Sequence, residues 1–338
     1  MRWLEQYWYR ISPLHLALWP LSLAFAALAA LRRLLYRAGV LKVTRLPVPV
    51  IVAGNLSVGG TGKTPLVIWL AQLLRERGYH PGIVCRGYGG NALAPQRAAT
   101  DSDPGVVGDE AVLLARRCGC PVWVGARRAV AARALLAAHP ECDAVISDDG
   151  LQHYALARDV EIAVIDGERG FGNCMLLPAG PLREPLRRLA RVDALVVNGA
   201  ALFPRAVLPS GMPTFEMTLG GRTFYDLLDP ARQAEPGHFA TQRVHAVAGI
   251  GNPGRFFNHL RDLGISFTSH PFPDHHAFKP ADFAAADAAA VLMTEKDAVK
   301  CERFGSGKFW ALRIDAQIDL ALGELILRQL GKQNQHGS

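Results

Sequence analysis

The hydrophobic positions of the chain form three successive patterns. Residues 11–31 are an apolar run that contains no Asp, Glu, Lys or Arg. From residue 46 to about residue 198, short apolar runs alternate with stretches of helical length, which is typical of parallel strands connected by helices. The same alternation resumes near residue 244. The pattern therefore predicts an apolar N-terminal helix followed by two α/β units.

The first α/β unit is expected to form a doubly wound, mostly parallel sheet. Its apolar runs are mostly unbroken, which indicates strands covered by helices on both faces. The predicted strands are Val48–Ala53, Gly82–Cys85, Val122–Val124, Ala144–Ser147, Ile162–Ile165 and Ala194–Val197. Ligands of such sheets bind at the carboxyl ends of the strands, so the residues directly after each strand are the candidates for chemistry.

Breaks in the pattern predict the domain organisation. We expect an N-terminal membrane-associated segment at residues 1–45 and a first α/β domain at 46–205. A second, smaller α/β domain at 206–330 would close over the site, and residues 331–338 would form a flexible tail. Residues 199–224 contain three prolines and little periodicity, which predicts a linker. The length of 338 residues suits about two domains.

The N-terminal run has the features of a membrane-associated helix. As a helix, residues 11–31 would be about 31 Å long, the thickness of a bilayer core. Aromatic residues lead into the run, and Arg32, Arg33 and Arg37 follow it. Pro20 leaves open whether the helix spans the membrane or lies on it. A buried core helix is the alternative, whereas Glu5 and the arginines disfavour a cleaved signal peptide.

The distribution of charge argues against one class of partner and favours another. The formal net charge is +7, and residues 1–45 carry seven of the basic residues against one acidic residue. The rest of the chain is close to neutral, which argues against nucleic acid as a partner and points to anionic lipid near the N-terminus. The six cysteines are scattered without zinc-site spacing, which is typical of reduced thiols in the cytosol.

A glycine-rich segment from Gly54 to Pro65 lies between the first predicted strand and a helix. Strand, glycine-rich turn and helix are the context of a phosphate-binding loop, in which backbone N–H groups and the helix N-terminus bind phosphate. The predicted nucleotide-binding residues are Ser57, Val58, Gly59, Gly60, Thr61, Gly62, Lys63 and Thr64. Lys63 would reach the β- and γ-phosphates and Thr64 would bind Mg²⁺. Ser57 stands where the strict pattern has glycine.

Charged residues follow other predicted strands. Arg86 opens a glycine-rich turn and could pair with phosphate. Asp148 and Asp149 end an apolar strand, which resembles the acidic strand end that orders Mg²⁺ in P-loop enzymes. An Asp-Gly turn would explain one aspartate but not the pair. Asp109 opens a helix, and from the residues alone an ordinary first-turn carboxylate is favoured for it.

Six motifs together resemble the tetraacyldisaccharide 4′-kinase family of lipid A assembly, from the apolar N-terminus to about residue 315. They are Gly54-Asn-Leu with Gly59-Gly-Thr-Gly-Lys-Thr-Pro65, Arg86-Gly-Tyr-Gly-Gly90, Gly108-Asp-Glu110, Asp148-Asp-Gly-Leu-Gln-His153, Leu177-Pro-Ala-Gly-Pro-Leu-Arg-Glu184 and Thr294-Glu-Lys-Asp-Ala-Val-Lys300. Their order and spacing make the resemblance specific. Ser57 belongs to this family's own variant of the loop.

The resemblance implies transfer of the ATP γ-phosphate to the 4′-hydroxyl of an acylated glucosamine disaccharide 1-phosphate, at the cytoplasmic face of the bacterial inner membrane. It implies that Lys63 and Thr64 serve phosphate and Mg²⁺, with Asp148 and Asp149 as the metal-ordering pair. Asp109 would be the base, oriented by His275 from the second domain, although His276 stays open as an alternative to His275. Weaker substrate contacts would come from Arg86, Arg128 and Arg183.

Two other functions remain as rivals from the residues. One is a membrane-associated P-loop ATPase or GTPase of the metallochaperone type. Those proteins often carry a lysine before the double glycine, where this chain has Val58, and a guanine-reading Asn-Lys-x-Asp is absent. The other is a membrane tether that uses ATP only for switching.

Overall fold

The structure is a computed structural model that describes residues 7–9, 13–91, 94–283 and 288–334. The start of the predicted apolar run, residues 11 and 12, and the end of the predicted tail, residues 335–338, lie outside the described residues. The helices are α1 Pro13–Arg37, α2 Lys63–Glu76, α3 Pro104–Val107, α4 Asp109–Cys118, α5 Arg128–Ala138, α6 Pro253–Asp262, α7 Glu295–Cys301 and α8 Leu320–Asn334.

Two sheets form the body of the chain. The strands are β1 Val50–Gly54, β2 Pro81–Cys85, β3 Gln96–Ala98, β4 Val122–Val124, β5 Ala144–Asp148, β6 Val160–Asp166, β7 Ala194–Asn198, β8 Thr214–Gly220, β9 Phe224–Asp226, β10 Gln233–Ala234, β11 Val244–Ala248, β12 Thr268–Pro271, β13 Ala290–Thr294, β14 Phe309–Leu312 and β15 Asp315–Ile318. The six strands predicted for the first unit are all present, with bounds that differ by up to two residues.

The first sheet has the order β15-β8-β7-β6-β1-β5-β2-β4-β3. All neighbouring strands from β8 to β4 are parallel, and only the edge strands β15 and β3 pair antiparallel. Helices α2, α4 and α8 contribute to the apolar core on one face. Helix α5 and the segments after β5 and β6 contribute to the core on the other face. The predicted doubly wound α/β fold is therefore confirmed.

The second sheet has the order β10-β9-β14-β13-β11-β12. Its four strands β14, β13, β11 and β12 are parallel, and β9 and β10 extend it antiparallel. Helix α6 packs in the core of one face through Phe256, Phe257 and Leu260. Helix α7 packs in the core of the other face through Ala298 and Cys301. This sheet is the smaller α/β unit that the sequence predicts.

The linker predicted at residues 199–224 is wrong for its last third. Residues 214–220 form β8, which pairs with β7 in the first sheet, and β15 returns from the second sheet to pair with β8. Strand β8 has mostly exposed or half-buried positions because it lies near the sheet edge, so its sequence lacks the apolar run of the central strands. The span predicted as the second domain thus contributes two strands to the first sheet.

The predicted C-terminal tail overlaps helix α8, which continues to Asn334. Leu322, Ile326 and Leu330 of this helix are fully buried in the core of the first sheet. The apolar residues recur every four positions, so one face of the helix supplies the burial that holds it in place. The last residues of the described chain therefore return to the first unit.

Candidate functional site

The phosphate-binding loop follows strand β1 and leads into helix α2, as predicted. Gly62 precedes the helix with φ of 91°, and a side chain there would collide with the Asn198 amide, which donates to the Thr61 carbonyl at 3.0 Å. Only glycine combines this backbone conformation with that close contact. Asn198 ends strand β7 and supports the loop, a contact that the sequence did not reveal.

The start of the predicted loop is occupied by protein contacts. Ser57 is buried and forms an isolated β-bridge with Leu182, and the Val58 N–H donates to the Pro181 carbonyl at 2.8 Å. The Val58 N–H therefore has a protein acceptor and is not free to bind phosphate. Residues 58–64 line a cavity of about 1610 Å³. The same cavity is lined by Arg86, Arg128, Asp148, Asp149, Arg183 and His275.

The two aspartates at the end of strand β5 have different surroundings. Asp149, at φ 48°, lies 3.6 Å from Lys63 Nζ and accepts from Arg183 Nη1 at 3.1 Å. Burial acts to raise the pKa of Asp149, but Lys63 and Arg183 lower this pKa to about 2. Asp148 is buried, and its Oδ1 has no protein partner. Burial, with Glu110 nearby, raises the pKa of Asp148 to about 7.

The three arginines predicted as substrate contacts differ in availability. Arg86 is exposed on the cavity wall. Arg183 is held by Asp149. Arg128 is almost fully buried, and its guanidinium donates to the carbonyls of Gly125 at 2.8 Å and Asp148 at 3.2 Å. Arg128 thus braces the end of strand β5 through backbone contacts, and it lines the cavity from an almost fully buried position.

Asp109 and His275 come from different sheets and meet in the structure. Asp109 is the first residue of α4, and its Oδ2 lies 3.1 Å from His275 Nδ1. Burial acts to raise the pKa of Asp109, but the His275 hydrogen bond and the charges of Lys296 and Lys300 outweigh it and lower this pKa. A buried carboxylate is therefore kept ionised by its partners.

The two adjacent histidines make different contacts. His276 Nε2 lies 3.0 Å from Asp282 Oδ2, within its own loop. His275 has φ of 57°, and its ring packs on Tyr88 with centroids 4.6 Å apart. The left-handed backbone turns the His275 ring toward the first sheet and Asp109. His275 is thus the histidine of the two that lies beside Asp109, and its functional role stays a prediction.

The turn after strand β11 lies against the phosphate-binding loop. Gly251 approaches Gly60 so closely that a side chain at Gly251 would come within 3.1 Å of the Gly60 nitrogen. Arg169, in the turn after β6, donates to the Gly251 carbonyl at 3.1 Å. The second sheet thus closes one side of the cavity, and Arg169 is a contact that sequence reasoning missed because no local motif surrounds it.

Helix α1 lines the opposite part of the same cavity, through Phe25, Leu28, Ala29, Arg32 and Arg33. Within the described chain, it is the helix long and apolar enough to cross a membrane, and most of its length is not buried. Its exposed side chains include Leu16, Trp19, Leu23 and Leu31. The predicted apolar N-terminal helix is present, and it is not a buried core helix.

A sheet of this topology, with a phosphate-binding loop and an acidic strand end in one cavity, defines a P-loop nucleotide-binding protein. Residues 14–331 match the family model described as tetraacyldisaccharide-1-P 4′-kinase, LpxK. The chain therefore belongs to the tetraacyldisaccharide-1-phosphate 4′-kinase family, as its motifs predict. The prediction of an ATP-dependent kinase of lipid A biosynthesis is confirmed, and the ATPase or GTPase alternative is not favoured.

Individual relatives agree with the family match. The tetraacyldisaccharide 4′-kinase of Methylobacillus flagellatus is 52 % identical over 97 % of this chain and 96 % of the relative. That of Azoarcus sp. strain BH72 is 52 % identical over 98 % and 95 %. The crystal structure of LpxK from Aquifex aeolicus in complex with ATP superposes with a TM-score of 0.79 at 30 % identity, covering 94 % of this chain and 99 % of that one.

Proposed function

We propose that the chain transfers the γ-phosphoryl group of ATP to the 4′-hydroxyl of a tetraacylated glucosamine disaccharide 1-phosphate, at the cytoplasmic face of the bacterial inner membrane. One observation carries the proposal. A single cavity is lined by the phosphate-binding loop, by His275 beside the buried Asp109, and by the apolar helix α1. Nucleotide, base and lipid environment therefore adjoin one another.

Residues 59–64 bind the phosphates, with Lys63 beside them and the N-terminus of α2 directed at the negative charge. Asp149 holds Lys63 and Arg183 by ion pairs, so these two cations are positioned before nucleotide binds. Phosphoryl transfer depends mainly on such positioning and on charge stabilisation, because its transition state is loose.

The residues present fit a magnesium ion. Asp148 Oδ1 is buried without a protein partner. Thr64, in the first turn of helix α2, lines the same cavity. These are the hard oxygen ligands that Mg²⁺ prefers. No group of three His, Cys, Asp or Glu side chains suited to a metal exists in the described residues, which suits an ion held largely by phosphates and water. Bound Mg²⁺ would neutralise charge on the phosphates.

Asp109 accepts the proton of the attacking hydroxyl. The O–H bond of the sugar breaks, its proton passes to the Asp109 carboxylate, and the sugar oxygen forms a bond to the γ-phosphorus as ADP leaves. The hydrogen bond between His275 and Asp109 orients the Asp109 carboxylate during the transfer. A carboxylate suffices because little proton transfer is needed before the loose transition state is reached.

Helix α1 explains how a water-insoluble acceptor reaches the site. Moving an acyl chain out of the bilayer costs about 0.8 kcal/mol per CH₂ group. Exposed apolar side chains of α1 would bury in the membrane, and its inner face lines the cavity. The basic residues Arg32 and Arg33, in the last part of α1, line the same cavity, and the exposed Arg32 suits an anionic lipid headgroup.

Transfer of labelled phosphate tests this function directly. The detergent-solubilised chain is incubated with γ-labelled ATP, Mg²⁺ and the acylated disaccharide 1-phosphate. We expect label in the lipid fraction. We expect Lys63→Ala to reduce this label at least about 100-fold, because the cation that stabilises negative charge on the transferring phosphoryl group is lost. Lys308→Ala, which removes an exposed lysine away from the cavity, is the control. Release of free phosphate without lipid labelling would refute the proposal.

A further inference from the structure

Lys296 lies where both sheets meet at the Asp109–His275 pair. Its Nζ is 3.1 Å from Glu110 Oε1, 3.4 Å from Asp274 Oδ1 and 3.3 Å from Nε2 of His275. The side chain is only 16 % exposed. One ammonium group thus contacts the residue after Asp109, the residue before His275, and the ring nitrogen of His275 that faces away from Asp109.

The segments that carry Lys296 and His275 are both hydrogen-bonded to the backbone of Gly249. Helix α7 begins at Glu295 and is capped by Thr294, whose hydroxyl accepts from the Asp297 N–H. Asp297 Oδ2 accepts from the N–H of Gly249 at 2.9 Å. The N–H of His275 donates to the carbonyl of the same Gly249 at 3.1 Å. The Lys296–His275 contact is therefore anchored on both sides.

The contact between Lys296 and His275 favours one tautomer of the His275 ring. Burial acts to lower the pKa of Lys296, but Glu110, Asp109 and Asp274 raise this pKa above its ordinary value, so the group is an ammonium with donors only. Nε2 of His275 must then accept, and the ring hydrogen lies on Nδ1, which donates to Asp109. A proton on Nε2 would face the ammonium charge.

We propose that Lys296 is a positioning residue that holds His275 as the neutral tautomer protonated at Nδ1, and so keeps Asp109 ionised and aligned to accept the hydroxyl proton. The inference rests on the proposed function, in which Asp109 is the base. The charged and polar groups around the pair are Lys296, Lys300, Glu110, Asp274 and the Tyr88 ring. At His275 Nε2, Lys296 Nζ lies within hydrogen-bond distance at 3.3 Å, and Asp274 Oδ1 lies farther away at 3.8 Å.

Kinetics of Lys296→Met, Lys296→Arg and the surface control Lys308→Met test the proposal in the full detergent-solubilised chain. We expect Lys296→Met to lower kcat about 10- to 100-fold, with KM for ATP within about twofold. The acid limb of its pH profile moves to higher pH, because one of the charges that lower the pKa of Asp109 is gone. Lys296→Arg restores most of kcat, and Lys308→Met behaves as wild type.

A merely structural role gives a different result. Loss of folded protein would lower kcat in proportion to the inactive fraction and leave the pH profile in place. An unchanged acid limb in Lys296→Met, or no rescue by Lys296→Arg, therefore overturns the proposal.

The tautomer itself is measured without substrate. Nitrogen-15 NMR of chain labelled at histidine reports which ring nitrogen carries hydrogen, and His275→Ala identifies the signals. We expect His275 Nε2 to be unprotonated in wild type and to lose this preference in Lys296→Met. Hydrogen on Nε2 of the wild-type ring overturns the inference, whatever the outcome of the phosphate-transfer assay. Failure of wild type in that assay overturns the proposed function instead.

Discussion

At the scale of single residues, Asp148, the last residue of β5, and Asp149, which follows it, lie in different surroundings although they are adjacent. Asp149 is neutralised by Lys63 and Arg183, whereas Asp148 is buried with an oxygen that no protein group satisfies. A buried carboxylate without a partner is costly to ionise, which is why its pKa is raised. Burial and the charge of Glu110 outweigh the charges of Lys63 and Arg128, which act to lower the pKa of Asp148.

Replacing Asp148 by Asn should stabilise the metal-free protein at neutral and alkaline pH. The native pKa of about 7 exceeds the ordinary value of about 3.9. Between these two values the native state binds more protons than the unfolded state, so wild-type stability falls as pH rises from about 4 to about 7 and then levels off. Asp148→Asn lacks this loss.

Thermal unfolding in EDTA without nucleotide checks the effect. The difference in Tm between Asp148→Asn and wild type should grow from pH 5 to pH 7 and stay constant above it, while phosphate transfer is lost. Asp143→Asn, which changes an exposed carboxylate near the start of the same strand, is the matched control. A Tm difference that does not vary with pH would contradict the raised pKa.

At the scale of elements, helix α1 is docked by a few polar contacts rather than by an apolar core. The Ser22 hydroxyl donates to the Leu176 carbonyl at 2.9 Å and accepts from the Ala179 N–H at 3.0 Å. Near the end of the helix, Arg33 lies 3.5 Å from Glu184. These contacts fix one face of α1 to the loop that carries Arg183, and they leave other side chains of the helix exposed, among them Leu16 and Leu23.

Charged residues on the outward face of α1 should release the chain from membranes. Burying a leucine contributes about 1.5–3 kcal/mol, so the double variant Leu16→Asp with Leu23→Asp should reduce binding at least tenfold. Flotation with vesicles of anionic phospholipid measures the bound fraction. Leu202→Asp, an equally exposed leucine in a loop of the first unit, should have no effect. Equal flotation of both variants would show that α1 does not mediate binding.

At the scale of the whole molecule, helices α4 and α7 join the two sheets through ion pairs. Arg117 on α4 pairs with Glu295 at the start of α7 and with Asp315 of β15. Arg116 pairs with Glu302 just beyond α7. Asp109 begins α4 and Lys296 lies in α7, so the contacts that join these helices also set the alignment of the site.

Removing Arg117 should destabilise the chain far more than removing an exposed arginine. Arg117→Met leaves the buried Glu295 without its cation, at a cost of about 3–5 kcal/mol. Arg313→Met breaks an exposed pair with Asp315 and should cost less than about 1 kcal/mol. Urea unfolding measures both, and Arg117→Met with Glu295→Gln should recover at least half of the loss. Equal midpoints for the two single variants would contradict this account.

The elements of the central sheet could be predicted because the residues within each element carry the signal for it. A central parallel strand is apolar along its whole length, and a phosphate-binding loop depends on consecutive residues such as Gly62 and Lys63. Strand β8 could not be predicted in this way, since it lies near an edge and its pairing with β7 and β15 is formed by distant parts of the chain. The end of α8 could not be predicted for the same reason: the helix continues to Asn334, past the predicted start of the tail at residue 331, and its buried residues pack on the first sheet.

By itself, the sequence determined the α/β class, the phosphate-binding loop, the apolar N-terminal helix and the family, since each is written in residues near one another or in motifs of fixed order. The family resemblance also named Asp109 and His275 as partners. Only the tertiary structure decided that Lys296 contacts His275, that Asn198 and Arg169 support the loop and its neighbour, and that Arg128 is buried. The contact farthest apart in sequence joins residues 137 positions apart, and these distances depend on how the sheets pack rather than on local pattern.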